Sequence, residues 1–227
     1  SKILECAQDA HILTCTDRKL HQERDINYAI FCNSVNLIKM KKNSYEKEIK
    51  EKRFRVSIFG SARIEKGNEN YKQVYNLAKE LGEKGIDVVT GGGPGTMEAA
   101  NSGHKGGSSL THSHSIGLLI YLPKEQKTNK SVDTEKRFNR FSSRLDNFML
   151  LSNAVVVAPG GVGTMLELFY TWQLVQVKHR SNIPIILMGK QWKGLLKWLE
   201  KEPLKNKYLE KKDLGLLFLA KNHKEVI

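Results

Sequence analysis

Apolar positions along this chain fall into two alternating textures: short unbroken runs, and longer stretches in which apolar side chains recur at helical spacing. Residues 55 to 62, Arg-Val-Ser-Ile-Phe-Gly-Ser-Ala, predict a short buried strand ended by Gly60. Between Tyr71 and Lys84, Val74, Leu77, Ala78 and Leu81 follow the helical period, and Gly85 supplies a stop. The pattern then predicts a strand at Ile86 to Thr90 and a helix opening at Thr96. Further strands are expected at Ser115 to Leu122, Ala154 to Ala158 and Ile183 to Met188, and further helices at Arg137 to Ser152, Gly163 to Val177 and Trp192 to Glu200. Strands apolar on both faces and alternating with helices predict an α/β class: a doubly wound parallel sheet, Rossmann-like, with helices on both sides. Residues 1–52 contain no Gly or Pro and carry scattered apolar positions such as Ile26, Ala29, Ile30, Leu37 and Ile38. They read as a helical N-terminal extension to a main domain at 53–227.

In this architecture ligands bind at the carboxyl ends of the strands, so the loops after Phe59, Thr90, Leu122 and Ala158 are the places to look. Three are built from small residues: Gly60-Ser61-Ala62, Gly91-Gly92-Gly93-Pro94-Gly95-Thr96 and Pro159-Gly160-Gly161-Val162-Gly163-Thr164. Glycines let backbone N–H groups approach a phosphate, and the following helix adds its positive end. The candidate phosphate-binding residues are therefore Gly60, Ser61, Gly92, Gly93, Gly95, Thr96, Gly160, Gly161, Gly163 and Thr164. Turning the chain is the competing explanation for any one such loop; several together favour a nucleotide or phosphate site. Neither long loop has the dinucleotide fingerprint, and no Lys-Ser or Lys-Thr follows the final Gly, which argues against nucleoside triphosphate hydrolysis. Glu167 follows Thr164 by three residues. Beside a bound phosphate a carboxylate is repelled unless it has a role; the alternative is a capping box in which Glu167 serves as the third helical residue.

Charge and composition change this picture little. The 37 Lys and Arg outnumber the 24 Asp and Glu, giving a net charge of +13 that favours acidic partners. Its concentration in mixed-sign runs, Lys39 to Arg55 and the Lys-rich tail, is that of solvated helices, and no nucleic-acid-binding motif accompanies it, so nucleic acid is not the expected partner. Cys6, Cys15 and Cys32 are odd in number and widely spaced, which argues for reduced thiols in a cytoplasmic protein. No apolar run is long enough to span a membrane, and the first residues lack the features of a secretory signal. His104, His112 and His114 read as solvated loop positions, so no metal is expected, and Trp172, Trp192 and Trp198 read as core or interface. Lysine decarboxylation by a pyridoxal phosphate Schiff base is excluded as a reading: no Lys lies in either long loop, and Lys105 and Lys178 have no motif around them.

The run Pro159-Gly160-Gly161-Val162-Gly163-Thr164-Met165-Leu166-Glu167 resembles the Pro-Gly-Gly-x-Gly-Thr-x-x-Glu signature of the LONELY GUY (LOG) family, cytokinin-activating phosphoribohydrolases and bacterial nucleotide nucleosidases long mislabelled as lysine decarboxylases. The resemblance extends through Phe59 to Arg63, Gly91 to Asn101, Ser115 to Leu118 and Leu122-Pro123-x-Glu125-Gln126, covering about residues 54 to 200. It implies hydrolysis of the N-glycosidic bond of a nucleoside 5′-monophosphate without a cofactor, with catalytic roles for Glu167 and Arg144. Phe141 to Phe148 aligns with the family's Arg-Lys pair but places Leu145 where Lys is usual. On the residues alone, Arg144 has a competing role in a surface ion pair with Asp146 or Glu135, and a carrier of a nucleotide or of molybdopterin would need the Gly loops but not Glu167 and Arg144. The resemblance also implies a homodimer, and the apolar Phe169, Trp172, Leu174 and Val175 suit a buried or interfacial helix.

Overall fold

The structure, a computed structural model, describes residues 44–122, 128–180 and 183–227. The expectations for Cys6, Cys15 and Cys32, for the helical character of residues 1–43, and for Pro123, Glu125 and Gln126 lie outside the described residues. Among the described residues seven strands form one all-parallel sheet in the order β4-β3-β2-β1-β5-β6-β7. They are β1 (Arg55–Phe59), β2 (Asp87–Thr90), β3 (Ser115–Ile120), β4 (Thr134–Phe138), β5 (Ala154–Val157), β6 (Ile185–Met188) and β7 (Leu217–Ala220). The helices are α1 (Ser44–Lys50), α2 (Glu69–Glu83), α3 (Thr96–Gly107), α4 (Phe141–Leu151), α5 (Val162–Gln176), α6 (Trp192–Leu199) and α7 (Lys211–Leu214). No helix among the described residues is long and apolar enough to cross a membrane.

Alternation along each strand divides the core into two layers. Val56 and Ile58 of β1, Val88 of β2 and Val156 of β5 pack beneath Val74, Leu77 and Leu81 of α2 and Ala99 and Ala100 of α3. Phe59, Val89, Val155 and Val157 face the other way, against Phe148 of α4, Leu168 and Trp172 of α5, and Trp192 of α6. Each fully buried Leu or Phe contributes about 2 kcal/mol relative to exposure, so both faces are strongly held. The α2 helix begins at Asn68, whose side chain accepts a hydrogen bond from the Asn70 N–H, and the chain turns into β2 through Gly85 at φ +72°.

Two elements differ from the sequence pattern. Arg137 was expected at the start of a helix, yet Thr134–Phe138 is an edge strand and the helix starts at Phe141. The strand is polar because it pairs only with β3 and leaves Glu135 exposed. The strand β7 follows the short α7 and adds a seventh strand beyond the five the pattern marks.

The amino edge of the sheet carries a compact charged cluster. Asp87, fully buried, pairs with Arg53 at 2.9 Å and Arg55 at 3.4 Å and accepts the His114 N–H at 2.8 Å. Glu48 of α1 pairs with Arg55 at 3.6 Å and with His114 Nδ1 at 2.7 Å. Tyr45, also in α1, donates to Asn147 of α4 at 2.6 Å. His104 corrects the expectation of a solvated loop: it lies in α3, fully buried, with Nε2 3.1 Å from the Ile86 carbonyl. Gly103 and Gly107 bring α3 against the backbone of Tyr75 and Lys79 in α2, close enough to enclose the imidazole, and burial lowers its pKa.

Candidate active site

The order of strands reverses at β1, which has β2 on one side and β5 on the other, and the crevice between their carboxyl ends is where such folds hold ligands. The three small-residue loops meet there. The Ser61 N–H donates to the Pro159 carbonyl at 3.1 Å, and the Ser61 carbonyl accepts the Thr96 N–H at 2.9 Å, so the loops after β1, β2 and β5 are tied to one another through Ser61. Gly60 precedes this junction, and a depression of about 400 Å³ lined by Ser61, Arg63, Ile64, Glu65, Gly67 and Asn68 adjoins it.

Gly95 opens α3 at φ +68°, where a Cβ would also strike the Ser61 and Ala62 backbone. Thr96, the first helical residue, is fully buried, and its hydroxyl has no hydrogen-bond partner among the described residues. Gly92 donates to Thr90 Oγ1 at 3.0 Å, and the Gly93 N–H approaches Met97 Sδ at 3.4 Å. The last loop caps α5 with Gly161, and Gly163 and Thr164 form its first turn. Gly161 and Gly163 have open space where side chains would project, so their lack of side chains leaves the positive end of α5 accessible. Gly160 is held from outside: its N–H donates to Gln191 Oε1 at 3.1 Å, and its carbonyl accepts from Gln191 Nε2 at 2.8 Å.

Arg144 and Glu167 come together above these loops. Arg144 rises from α4, Glu167 from α5, and Nη1 lies 3.2 Å from Oε1. Arg144 is not paired with Asp146 or Glu135: Asp146 accepts a hydrogen bond from Tyr170, and Glu135 binds Thr128 and Arg137. Its Nε donates to the Leu118 carbonyl at 2.6 Å, and the guanidinium carbon lies 5.0 Å from the Phe148 ring centre. The side chains of Arg144 and Glu167 are only 10% and 12% exposed. Burial pushes the Glu167 carboxyl up to about 7, against the opposing pull of the Arg144 charge. The same burial lowers the Arg144 pKa while Glu167 raises it. The capping-box alternative for Glu167 is overturned by the start of the helix: with Gly161 as cap, Thr164 is the third helical residue and Glu167 lies in the second turn. Leu145, at the position where the family's Lys is usual, is buried.

Two contributors carry no signal in the motifs, and a third lies inside one. Gln191 follows β6, outside the four loops singled out by the pattern, and binds backbone. Asn129 reaches the loop after β2 from the approach to β4, donating from Nδ2 to the carbonyls of Gly92 at 3.2 Å and Gly93 at 2.9 Å. Met97 sits at the Gly93 N–H. Bonds between a side chain and a backbone carbonyl leave no spacing to detect, whereas the glycines they hold are conspicuous.

Residues 97–227 match the family described as possible lysine decarboxylase. The chain is 29% identical over 136 residues to the pyrimidine/purine nucleotide 5′-monophosphate nucleosidase of Escherichia coli (strain K12), covering 54% of this chain and 28% of that protein. It thus spans just over a quarter of the length of the bacterial nucleosidase. It is 33% identical over 139 residues to the cytokinin riboside 5′-monophosphate phosphoribohydrolase LOG of Oryza sativa subsp. japonica, covering 58% of this chain and 54% of that one. Its fold resembles the molybdenum cofactor binding protein of Rippkaea orientalis, with a TM-score of 0.58 and 18% identity over 77% of this chain and 93% of that one. The match over residues 97–227, more than half of the chain, makes it a member of the LOG family that bears the older description of possible lysine decarboxylase.

Proposed function

We propose that the chain hydrolyses the N-glycosidic bond of a nucleoside 5′-monophosphate, AMP-like or N6-modified, releasing free base and ribose 5-phosphate. The observation that carries this reading is the Arg144–Glu167 pair, a carboxylate and a guanidinium 3.2 Å apart and largely withdrawn from water where the three loops converge. A protein that only carried a phosphorylated ligand would need the loops alone. Burying an ion pair costs desolvation energy that a cradle has no use for.

In the proposed reaction the 5′-phosphate sits at the positive ends of α3 and α5, contacted by backbone N–H groups of Gly93, Gly161 and Gly163 and by the Thr164 hydroxyl. The bond from C1′ to the base nitrogen breaks with its electron pair leaving on the base, and positive charge builds on C1′ and the ring oxygen. Ionised Glu167 stabilises that charge and accepts a proton from the attacking water, whose oxygen bonds to C1′. The base nitrogen takes up a proton from solvent as it leaves, and Glu167 then returns its proton to solvent, so that one water in sum supplies the sugar hydroxyl and the proton on the base. Arg144 holds the carboxylate in place and favours its ionised form against the effect of burial.

We further propose a homodimer in which Leu166 and Phe169 of α5 and Phe141 of α4, each exposed, meet a second copy. Trp172 and Val175 of α5 face the core instead. Molar mass in solution by light scattering, with Phe169→Glu as the disrupting variant, tests this.

The experiment for the activity is release of free base from AMP, GMP, CMP, IMP and an N6-modified AMP, with Glu167→Gln beside the wild type. Release by the wild type alone supports the hydrolase and identifies its base. Tight binding of a monophosphate with no release by either protein makes the chain a carrier.

A further inference from the structure

The loop after β2 is gripped from behind. The Asn129 backbone N–H donates to the Gly92 carbonyl at 2.9 Å, and its side-chain amide donates to the carbonyls of Gly92 and Gly93 and, at 2.8 Å, to Asn101 Oδ1. Asn101 is fully buried and is itself fixed, accepting from Thr90 Oγ1 at 2.9 Å and donating to Ser115 Oγ at 2.5 Å. Asn129 therefore rests on a network anchored in β2, α3 and β3.

In a trans peptide the carbonyl and the following N–H point in opposite directions. With the Gly92 carbonyl drawn to Asn129, the Gly93 N–H is turned to the other side of the loop. Its partner there is Met97 Sδ at 3.4 Å, and a thioether is a weak acceptor. That side is also where Arg144 lies: a Cβ added to Gly91 would strike Arg144 Nη2 and stand 2.6 Å from Met97 Sδ. A well-oriented backbone donor thus sits beside the candidate catalytic cation, occupied by sulfur where oxygen would bind better.

We propose that Asn129 is a positioning residue: it holds the Gly93 N–H toward Arg144 as a donor for an oxygen of the phosphoribosyl group, with the Met97 thioether as the placeholder that this oxygen displaces. The inference rests on the phosphoribohydrolase reading and specifies how one loop of that site is kept ready. Without the Asn129 side chain the peptide between Gly92 and Gly93 is held only by the backbone N–H of residue 129, and glycine adds little conformational restraint of its own.

Glycine-selective 15N labelling with ribose 5-phosphate as the probe tests this. Wild-type protein should show the Gly93 amide resonance moving on titration, and Met97→Leu should shift that resonance in the free protein while still binding the probe. Asn129→Ala should bind ribose 5-phosphate about tenfold more weakly, the scale of one lost oriented hydrogen bond, and its Gly93 amide should respond less than that of the wild type. Asn129→Asp, of the same shape but without the donor, repeats the test should the alanine variant not fold. A Gly93 amide that stays still while the glycines at 161 and 163 respond overturns the proposal and leaves the cradle standing. An unaltered Gly93 response in the Asn129 variants also overturns it. If no glycine amide responds in the wild type, the phosphoribosyl reading and this proposal fall together.

Discussion

The guanidinium of Arg144 occupies the space that a side chain on Gly91 would fill. The first glycine of the loop after β2 thereby leaves room for an arginine reaching over from α4, and the loop lies directly against the Arg144–Glu167 pair. Gly91→Ala should move the guanidinium away from Glu167 and lower base release about a hundredfold, the cost of misplacing a reacting group by about an ångström. Circular dichroism should show the fold retained.

The proton on Glu167 should govern the pH dependence of the proposed reaction. With the carboxyl at about 7, the ionised fraction grows as pH rises through neutrality, so kcat/KM should climb toward that pH and level above it. The Arg144 charge lowers the Glu167 pKa, so Arg144→Gln should carry the limb to higher pH as well as reducing the rate. Pre-steady-state base release across the range from about pH 5.5 to 9 checks both. The stability linkage has a fixed sign: Glu167 binds its proton more tightly folded than unfolded, so its contribution is greatest below the ordinary carboxylate range and is lost as pH rises toward about 7. Urea unfolding of wild type and Glu167→Gln over that window should differ in slope, the difference reporting the Glu167 proton.

Gly163 separates a folding role from a ligand role. It lies in the first turn of α5 with nothing within 4 Å of where a Cβ would be, so alanine fits and should stabilise the helix by about 0.5–1 kcal/mol. If phosphate approaches that backbone, the added methyl weakens binding. Gly163→Ala is therefore expected to melt slightly higher than wild type while raising the KM for a nucleoside monophosphate; an unchanged KM would remove Gly163 from the site.

Asp87 should do the reverse. It is buried at the amino edge of the sheet between Arg53 and Arg55, at the other end of the strands from Glu167. Asp87→Ala leaves Arg55 buried with less compensation and strands the His114 N–H, a loss of about 3 kcal/mol or more. Denaturant unfolding measures that loss; turnover per folded molecule should stay within about twofold, because separated sites act additively.

Much of this arrangement is legible in the chain before any coordinates, for reasons that differ by element. Val56, Ile58, Val156 and their neighbours announce buried parallel strands because both faces are covered. The strand β4 hides because Thr-Glu-Lys-Arg-Phe at a sheet edge keeps polar side chains in water, and Arg137 there reads as the opening of the next helix. The small-residue loops are visible because glycine marks them, and the resemblance points to Arg144 and Glu167. That the two touch is not visible, since 23 residues separate them and their contact depends on how α4 and α5 lie across the sheet. The position of Glu167 in its helix hinged on which glycine caps it, and spacing from Thr164 alone suggested one turn too early.

The reciprocal pair of hydrogen bonds between Gln191 and Gly160 has a bearing on recombination within this family. Both backbone groups of a glycine in the loop after β5 are satisfied by an amide supplied after β6. A crossover placed between α5 and β6 separates the glycine from its holder, although it cuts neither element. Tolerance to such an exchange should follow whether the incoming sequence offers an amide side chain at position 191, more than how closely its helices match those they replace.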